Sequence, residues 1–576
     1  MIRLFLLLAF ISFSVFSTAQ SPLVQSVEPI ALHNSAPRDA DIVINFDSAL
    51  DPASVSNATV RIFGRWSGPA SGDFTLEDGD KSIRFALSEP FFAGEWVTVS
   101  LTKGIQSAAG DSMQLGYTWN FWTATAPGSM DLELVDEIEV REPGEGLIQV
   151  YGAYAGDLNN DGYSDLTVIN ETSDDLRIFL NDGTGGYSDF EKHNMGNMTP
   201  SPNEGADFNN DGEIDLAVST AHHDEVRVLI GDGSGSFVSQ TNYTVDGEGV
   251  RGLAIVDCNG DGSDDIFFAN RLSDNMGLLM NDGTGSFTAS AFNSSGNGET
   301  ACAIADANGD GIPDIFMGFY SSQELGILLG DGAGNFTLSD KVSVQGRPWM
   351  VAVGDFNGDG NADMASANSF SNISAVAFGD GTGNLSTPTH YDYEDYQFPL
   401  AMDLGDLDGD GDLDMVTSNY ESATYTIFEN DGNGAFTPVI NLTAPNKASC
   451  AILHDRDNDG DLDIAATDEA DDVIRIFDNP GIVDAVDNEL IQNLNLTVSP
   501  NPFNEKMNIQ FNLTGQQQVG LKLLNAGGQV ERTLYSGQLL EGEHRFEFTG
   551  GGLLSGVYLL QLSVDDRVVS EVAVKQ

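Results

Sequence analysis

The nine-residue string D-x-[ND]-x-D-G-x-x-D occurs seven times in this chain, starting at Asp157, Asp207, Asp257, Asp306, Asp355, Asp406 and Asp455. Successive starts lie 50, 50, 49, 49, 51 and 49 residues apart. A period this constant means one supersecondary unit repeated in space, and it rules out a fold with a single undivided core.

The loop chemistry is readable position by position. Oxygen side chains at positions 1, 3, 5 and 9 can converge on one hard cation, with the backbone carbonyl of position 7 as a further ligand. The first loop offers Asp157, Asn159, Asp161 and Asp165 with the Tyr163 carbonyl, and the second Asp207, Asn209, Asp211 and Asp215 with that of Glu213. The third offers Asp257, Asn259, Asp261 and Asp265 with Ser263, and the fourth Asp306, Asn308, Asp310 and Asp314 with Ile312. The fifth has Asp355, Asn357, Asp359 and Asp363 with Asn361. Asp406, Asp408, Asp410 and Asp414 with Asp412 form the sixth, and Asp455, Asp457, Asp459 and Asp463 with Asp461 the seventh.

Position 6 is always glycine, from Gly162 to Gly460, where a sharp turn calls for positive φ. Carboxylates packed this closely repel one another, and a divalent ion removes that cost. All-oxygen ligation by several carboxylates favours calcium over zinc, and a cage built from protein groups argues against magnesium. The expectation is up to seven calcium ions. The competing reading is an Asp/Asn/Gly-rich turn that holds no ion.

Each loop runs into a short apolar stretch rather than a helical period: LTVI after Asp165, LAVS after Asp215, IFFA after Asp265 and IFMG after Asp314. Such runs bounded by turns suit buried strands. A second strand and a glycine hairpin follow, as in IFLNDGTGGY (178–187), VLIGDGSGSF (228–237) and ILLGDGAGNF (327–336). Four strands per period make one propeller blade. The seventh period stops at IRIFDNPG (474–481), one strand short, and an unmatched strand-like piece near Leu132–Val140 precedes the first loop. That piece can complete the last blade and leave no open sheet edge, giving seven blades.

The repeats over residues 130–481 resemble the FG-GAP/VCBS repeats of integrin-α-type propellers. The resemblance implies that the ions are structural clamps on one face and that ligands meet the opposite face. Loops after the buried strands would build that face, with His222-His223, Arg271, Tyr320, Phe370, Tyr420 and Glu469, together with Pro348-Trp349 and Tyr396-Gln397-Phe398 from the links between blades. Aromatics on a rigid scaffold can stack on a sugar or anchor a protein; packing between blades is the alternative use for each.

Two modules flank the array. Residues 22–126 alternate in strand fashion, in DIVINF (41–46), ATVRIF (58–63), SIRFAL (82–87), EWVTVSL (95–101) and YTWNFWT (117–123). They resemble SbsA-type bacterial Ig-like domains, which implies a β-sandwich spacer or adhesion module, with Trp96 and Trp119 read as core. Residues 487–576 carry SPNPF (499–503), a turn at Gly527-Gly528 and SGVYLLQL (555–562). They resemble the type A sorting domain of the type IX secretion system, which implies export through an outer membrane by that machinery, with the product shed or surface-retained. A plain β-sandwich binding domain is the other reading. The chain is therefore expected to be all-β throughout: sandwich, propeller and small sandwich.

Residues 1–19 read as a signal peptide, with Arg3 ahead of an apolar Leu4–Phe16 and a small-residue Ser17-Thr18-Ala19 site. At 1.5 Å per residue that apolar run falls short of the ~30 Å hydrocarbon core, so no membrane-spanning helix is expected in the mature protein. Cys258, Cys302 and Cys450 are odd in number and widely spaced, which argues against a disulfide framework. With 88 Asp+Glu against 24 Lys+Arg the net charge is −64, which repels phosphate backbones and argues against nucleic acid as a partner.

Three functions fit the sequence. The first is a secreted or surface-attached, non-catalytic binding or adhesion module for an extracellular glycan or protein. The second is a polysaccharide lyase or hydrolase working in the propeller centre, although no H-E-x-x-H, G-x-S-x-G or phosphate loop is present. A structural surface component is the third. Lys/Arg, Glu and Tyr converging at the centre would favour the enzyme, and exposed aromatics around the rim the binder.

Overall fold

The computed structural model of the chain describes residues 21–481 except 197, 293–295 and 394–395, and residues 496–575 except 514, 525–529, 541, 552, 554–555 and 565–566. The signal segment 1–19 and the Gly527-Gly528 turn lie outside the described residues. The described residues are all-β apart from a 3-10 turn at Pro52–Ser54, and the chain divides into two compact units, residues 1–481 and 482–576. Among the described residues no helix is long and apolar enough to cross a membrane.

The first unit holds the sandwich and the repeats. Val24–Glu28, Ile42–Phe46, Ser82–Leu87 and Gly72–Glu77 form one sheet; Gly68–Pro69, Val60–Gly64, Trp96–Leu101 and Tyr117–Trp122 form the other. The alternation in IVINF and VRIFG drives it: every second residue is buried, and Ile42, Ile44, Phe85, Val97, Val99, Trp119 and Phe121 close the core between the sheets.

Seven four-stranded antiparallel sheets follow, a repeat architecture of propeller type. In the first, Val150–Gly156, Asp165–Asn170, Asp175–Asn181 and Tyr187–Asn194 pair in chain order. The next five sheets repeat that order. In the seventh, Ala448–His454, Asp463–Asp468 and Val473–Asp478 are completed by Glu133–Glu139, with Ile138 opposite Ile474. The first strand of each sheet packs on that of the next, and the seventh packs on the first.

Burial explains the strand compositions. Second strands such as Asp265–Asn270 (DIFFAN) are buried at every position because neighbouring sheets cover both faces, so they read as continuous apolar runs. Outer strands such as Phe237–Thr244 are largely exposed and polar. All three cysteines are free thiols, Cys258 and Cys302 buried and Cys450 half-buried, and burial pushes each thiol pKa up.

The sandwich is no spacer. It covers the acidic-loop end of the repeat array, and every one of the seven loops touches it. The Asp157 amide donates to the Trp66 carbonyl (2.7 Å), Lys103 N–H to the Gly260 carbonyl (2.9 Å), Thr118 N–H to Gly311 (2.7 Å) and Ala126 N–H to Gly460 (2.6 Å). Arg61 lies 3.5 Å from Asp207, and the Asn34 amide donates to the Asp355 carbonyl at 2.7 Å. Gly409 abuts Pro127 so closely that a Cβ there would sit 2.5 Å from the proline Cα.

The second unit is a small two-sheet module. Thr497–Ser499, Lys506–Leu513 and Gly542–Thr549 form one sheet, and Val530–Leu539, Gln517–Leu524, Gly556–Val564 and Arg567–Lys575 the other. Met507, Ile509, Phe511, Leu521, Leu560 and Leu562 fill its core.

Candidate cation loops and the channel mouth

Each acidic loop joins the first strand of a sheet to the second, and the position-9 aspartate is the first residue of that second strand. Two left-handed residues fold each loop. The position-6 glycines take φ between 76° and 100°, and position 4 is also left-handed, from Asn160 (φ 59°) to Asn458 (φ 61°). The position-4 requirement explains why only Asn or Gly stands there, a signal the motif string leaves as x.

Backbone amides then fix the carboxylates. In the first loop the amides of Asp161 and Gly162 donate to the two oxygens of Asp157, at 3.0 and 2.9 Å, and the Tyr163 amide donates to Asp161 Oδ1 at 3.0 Å. The position-5 to position-7 bond recurs in all seven loops. Each of these bonds takes one lone pair of its carboxylate oxygen and leaves that oxygen further acceptor capacity.

Position 9 is a different kind of residue. Asp165 accepts the Leu158 amide on one oxygen (3.0 Å) and the Asn181 amide on the other (2.7 Å), tying the loop to the hairpin sixteen residues on. Its counterparts from Asp215 to Asp463 do the same. Burial pushes these carboxyls up to about 7 at Asp165, Asp215, Asp314 and Asp363 and to about 8 at Asp265, Asp414 and Asp463, against the pull of their two amides.

Carboxylate oxygens come close enough to hold a metal ion at Asp406, Asp408 and Asp414 and at Asp455, Asp457 and Asp459, all within 4.8 Å of one another. A third trio, Asp457, Asp463 and Asp478, adds a residue outside the motif. It surrounds Arg456, which lies 3.2 Å from Asp457 and 3.5 Å from Asp463 and also pairs with Asp478, so its charge is already compensated. In the seventh loop both oxygens of Asp461 are buried with no hydrogen-bond donor. Buried, donor-free carboxylate oxygens are what a hard cation requires of its ligands. Asp461, read from sequence only for its carbonyl, therefore also brings two donor-free side-chain oxygens to the seventh loop.

At the opposite ends of the strands a second feature emerges. The inner strands enclose a cavity of about 540 Å³ that runs from Arg61, Arg65, Trp96 and Trp122 of the sandwich to Tyr151, Arg251 and Trp349. Trp119 lies in the sandwich core as expected, whereas half-buried Trp96 packs on Trp122 (4.9 Å between centroids) at the cavity wall. Inside, Arg65 sits between Asp403 (3.3 Å) and Glu204 (3.6 Å).

At the mouth, Trp349 Nε1 donates to the Tyr151 hydroxyl at 2.9 Å, and rings and guanidiniums alternate. Arg251 lies over Tyr151 and Trp349, Arg271 over Trp349 and Tyr320, and Arg347 over Tyr320 and Phe370, all at 4.9–5.5 Å. Phe398 bridges Phe370 and Tyr420 at 4.9 and 6.0 Å. Glu469 accepts from Gln149 (2.8 Å) and from the Tyr420 hydroxyl (3.3 Å). Of the residues placed on this face from sequence, the structure gathers Arg271, Tyr320, Trp349, Phe370, Phe398, Tyr420 and Glu469. Tyr396 is buried in the wall between two sheets, and Tyr151, Arg251 and Arg347, which stand at the starts of first strands, were not among the residues placed on this face.

Residues 157–466 match the FG-GAP-like repeat in six overlapping windows (157–218, 207–268, 257–317, 306–366, 355–417 and 406–466), and residues 18–123 match a bacterial Ig-like domain. The chain belongs to the FG-GAP-like repeat proteins. No curated protein matches it. Among solved structures it is similar to a functionally unknown protein from Desulfotomaculum acetoxidans, at 13% identity and TM-score 0.37 over 65% of this chain and 98% of that one. It is also similar to a protein of unknown function from Bacteroides caccae, at 12% identity and TM-score 0.28 over 40% and 73%.

Proposed function

We propose that the chain is an exported, calcium-stiffened seven-bladed propeller that binds an extracellular glycan or protein at the face away from its acidic loops. The observation that carries the reading is the coverage of the loop face: all seven loops lie under the sandwich, so the aromatic and cationic mouth is the end that remains for a ligand. The loops, Asp157–Asp165 through Asp455–Asp463, would hold calcium through side-chain oxygens, and the ion would supply positive charge that joins first strand to second. The second unit would direct export by the type IX machinery, with shedding or retention at the cell surface.

A screen of the full calcium-loaded chain against glycans and matrix proteins tests this reading. A saturable hit is expected. Silence from folded protein would overturn the binding role and leave a structural surface component.

An enzymatic reading has one observation in its favour, the convergence of Arg251, Tyr420 and Glu469 at the mouth. Its weakness is the phenol. Burial and the neighbouring Glu469 carboxylate raise the Tyr420 pKa, which keeps it protonated and makes it a poor base for a lyase. Non-catalytic binding is therefore the stronger reading. Chain shortening of a bound polysaccharide would overturn it.

A further inference from the structure

We propose that the mouth is specific for an acidic glycan, with sugar rings against Trp349, Tyr320 and Phe370 and their carboxylate or sulfate groups on Arg271 and Arg347. The proposal rests on the binding role argued above and names the ligand class.

Charge carries the argument. The net charge of −64 repels any polyanion over the surface as a whole, so attraction at the mouth is local. Among 88 Asp+Glu and only 24 Lys+Arg, a guanidinium easily finds a carboxylate. Arg65 in the same cavity has two, and Arg251 has Glu171 at 3.3 Å. Arg271 and Arg347 form no ion pair among the described residues and lie on rings instead. The Nε atoms of Arg251 and Arg271 are buried without an acceptor. Burial and the adjacent Arg251 charge lower the Arg271 pKa, the mark of a cation short of counter-charge. A ligand anion supplies that counter-charge, and guanidiniums address carboxylate and sulfate oxygens with paired donors.

The rings decide what carries the anion. Phe370 is 63% exposed, and its neighbours Tyr320 and Trp349 are half-buried, so flat apolar faces stand beside each guanidinium. Rings and cations in alternation match a polymer in which C–H faces and acidic groups alternate. An acidic peptide has the charge but not the regularly spaced C–H faces.

The test is calorimetric titration of the full calcium-loaded chain, freed of excess calcium, with four probes of similar length: oligogalacturonate, a sulfated galactan, a neutral glucan and poly-glutamate. Oligogalacturonate or the sulfated galactan should bind, which distinguishes carboxylate from sulfate. Arg271→Gln and Arg347→Gln should each weaken it roughly tenfold or more, the scale of a lost charge-assisted hydrogen bond, at unchanged melting temperature. Phe370→Ala, at an exposed position, should weaken it too. Equal binding of poly-glutamate, or loss with Arg271→Gln but not with Phe370→Ala, would overturn the glycan in favour of an acidic peptide. Binding of the neutral glucan, unaffected by the arginine variants, would overturn the acidic class and leave the binding role standing. If no probe binds here while the wider screen finds a ligand, the acidic class alone falls; if that screen is also silent, the binding role falls with it.

Discussion

The Arg61 guanidinium of the sandwich lies 3.5 Å from the carboxylate of Asp207, the first position of the second acidic loop. A module that was merely tethered would leave that carboxylate to solvent. Here the sandwich, which also receives the Asp157 amide on the Trp66 carbonyl and sets Ala126 against Gly460, reads the shape of every loop. Loop geometry and module docking share these contacts, so the two are expected to unfold together.

Chelation follows from that coupling. An ion bound only by the folded loops stabilises by mass action, ~3 kcal/mol per site at a hundredfold excess over its Kd. Removing several ions should lower the melting temperature by on the order of 10 °C or more. Sandwich and repeats should melt in a single calorimetric transition both with and without calcium. An unchanged curve in excess EDTA would sink the calcium reading, and a separate sandwich transition would sink the coupling.

The pH dependence of the metal-free protein has a definite sign. The position-9 carboxyls lie at about 7 to about 8 in the folded chain, raised first by burial, against an ordinary aspartate value near ~3.9. Over that window the folded state holds more protons than the unfolded one, so these groups contribute stability that is full below about pH 4 and is lost as pH rises towards about 8. In EDTA the melting temperature should fall between about pH 6 and about pH 8, and calcium should abolish that fall while releasing protons on binding. Calorimetry in buffers of different ionisation enthalpy measures the release. No proton release would mean that the ion does not meet these carboxyls.

Asp461 gives a sharper test, because its expected effect changes sign. Both oxygens are buried without a donor and beside Asp455, Asp457 and Asp459, which raise the carboxyl to about 8 after burial itself. Asp461→Asn removes the cost of protonating or burying that carboxylate and should stabilise the metal-free protein by ~1–3 kcal/mol near neutral pH. In saturating calcium the same variant loses a charged ligand and should be less stable than the parent. Denaturant titrations with and without calcium decide it, and an effect of the same sign in both would remove Asp461 from the cation shell.

Legibility in the sequence followed how local the cause was. The acidic string, the glycine turns and the buried second strands are set by neighbours within one repeat, so Gly162 or the run after Asp265 announces itself. The strand near Leu132–Val140 was legible because a missing partner is countable in a periodic chain. The docking of the sandwich was not. It uses carbonyls such as Trp66 and single side chains such as Asn34, 321 residues from its partner Asp355, which no period marks. The mouth was half legible: loop-tip aromatics stood out, while Arg251 and Arg347 stand at the starts of first strands, which carry no motif that marks them. For Arg347 the signal was scarcity, an arginine in a strongly acidic chain that forms no ion pair among the described residues, whereas Arg251 meets Glu171 at 3.3 Å.

The closing strand supplies the last prediction. Glu133–Glu139 reaches back across the whole array to pair with Val473–Asp478, and Ile138, 7% exposed, packs opposite the fully buried Ile474. Only this pairing gives Val473–Asp478 an outer neighbour among the described strands. Ile138→Ala should cost ~2–4 kcal/mol, the scale of a buried large-to-small change. Ile138→Asp should do more than destabilise, because a carboxylate cannot stay against Ile474 and the strand must detach. Val473–Asp478 would then present unpaired amides and carbonyls along a hydrophobic edge, which invites pairing with another chain. Size-exclusion chromatography should show Ile138→Asp self-associating while Ile138→Ala elutes with the parent. A folded, non-associating Ile138→Asp of parental stability would mean that the seventh sheet holds without its fourth strand.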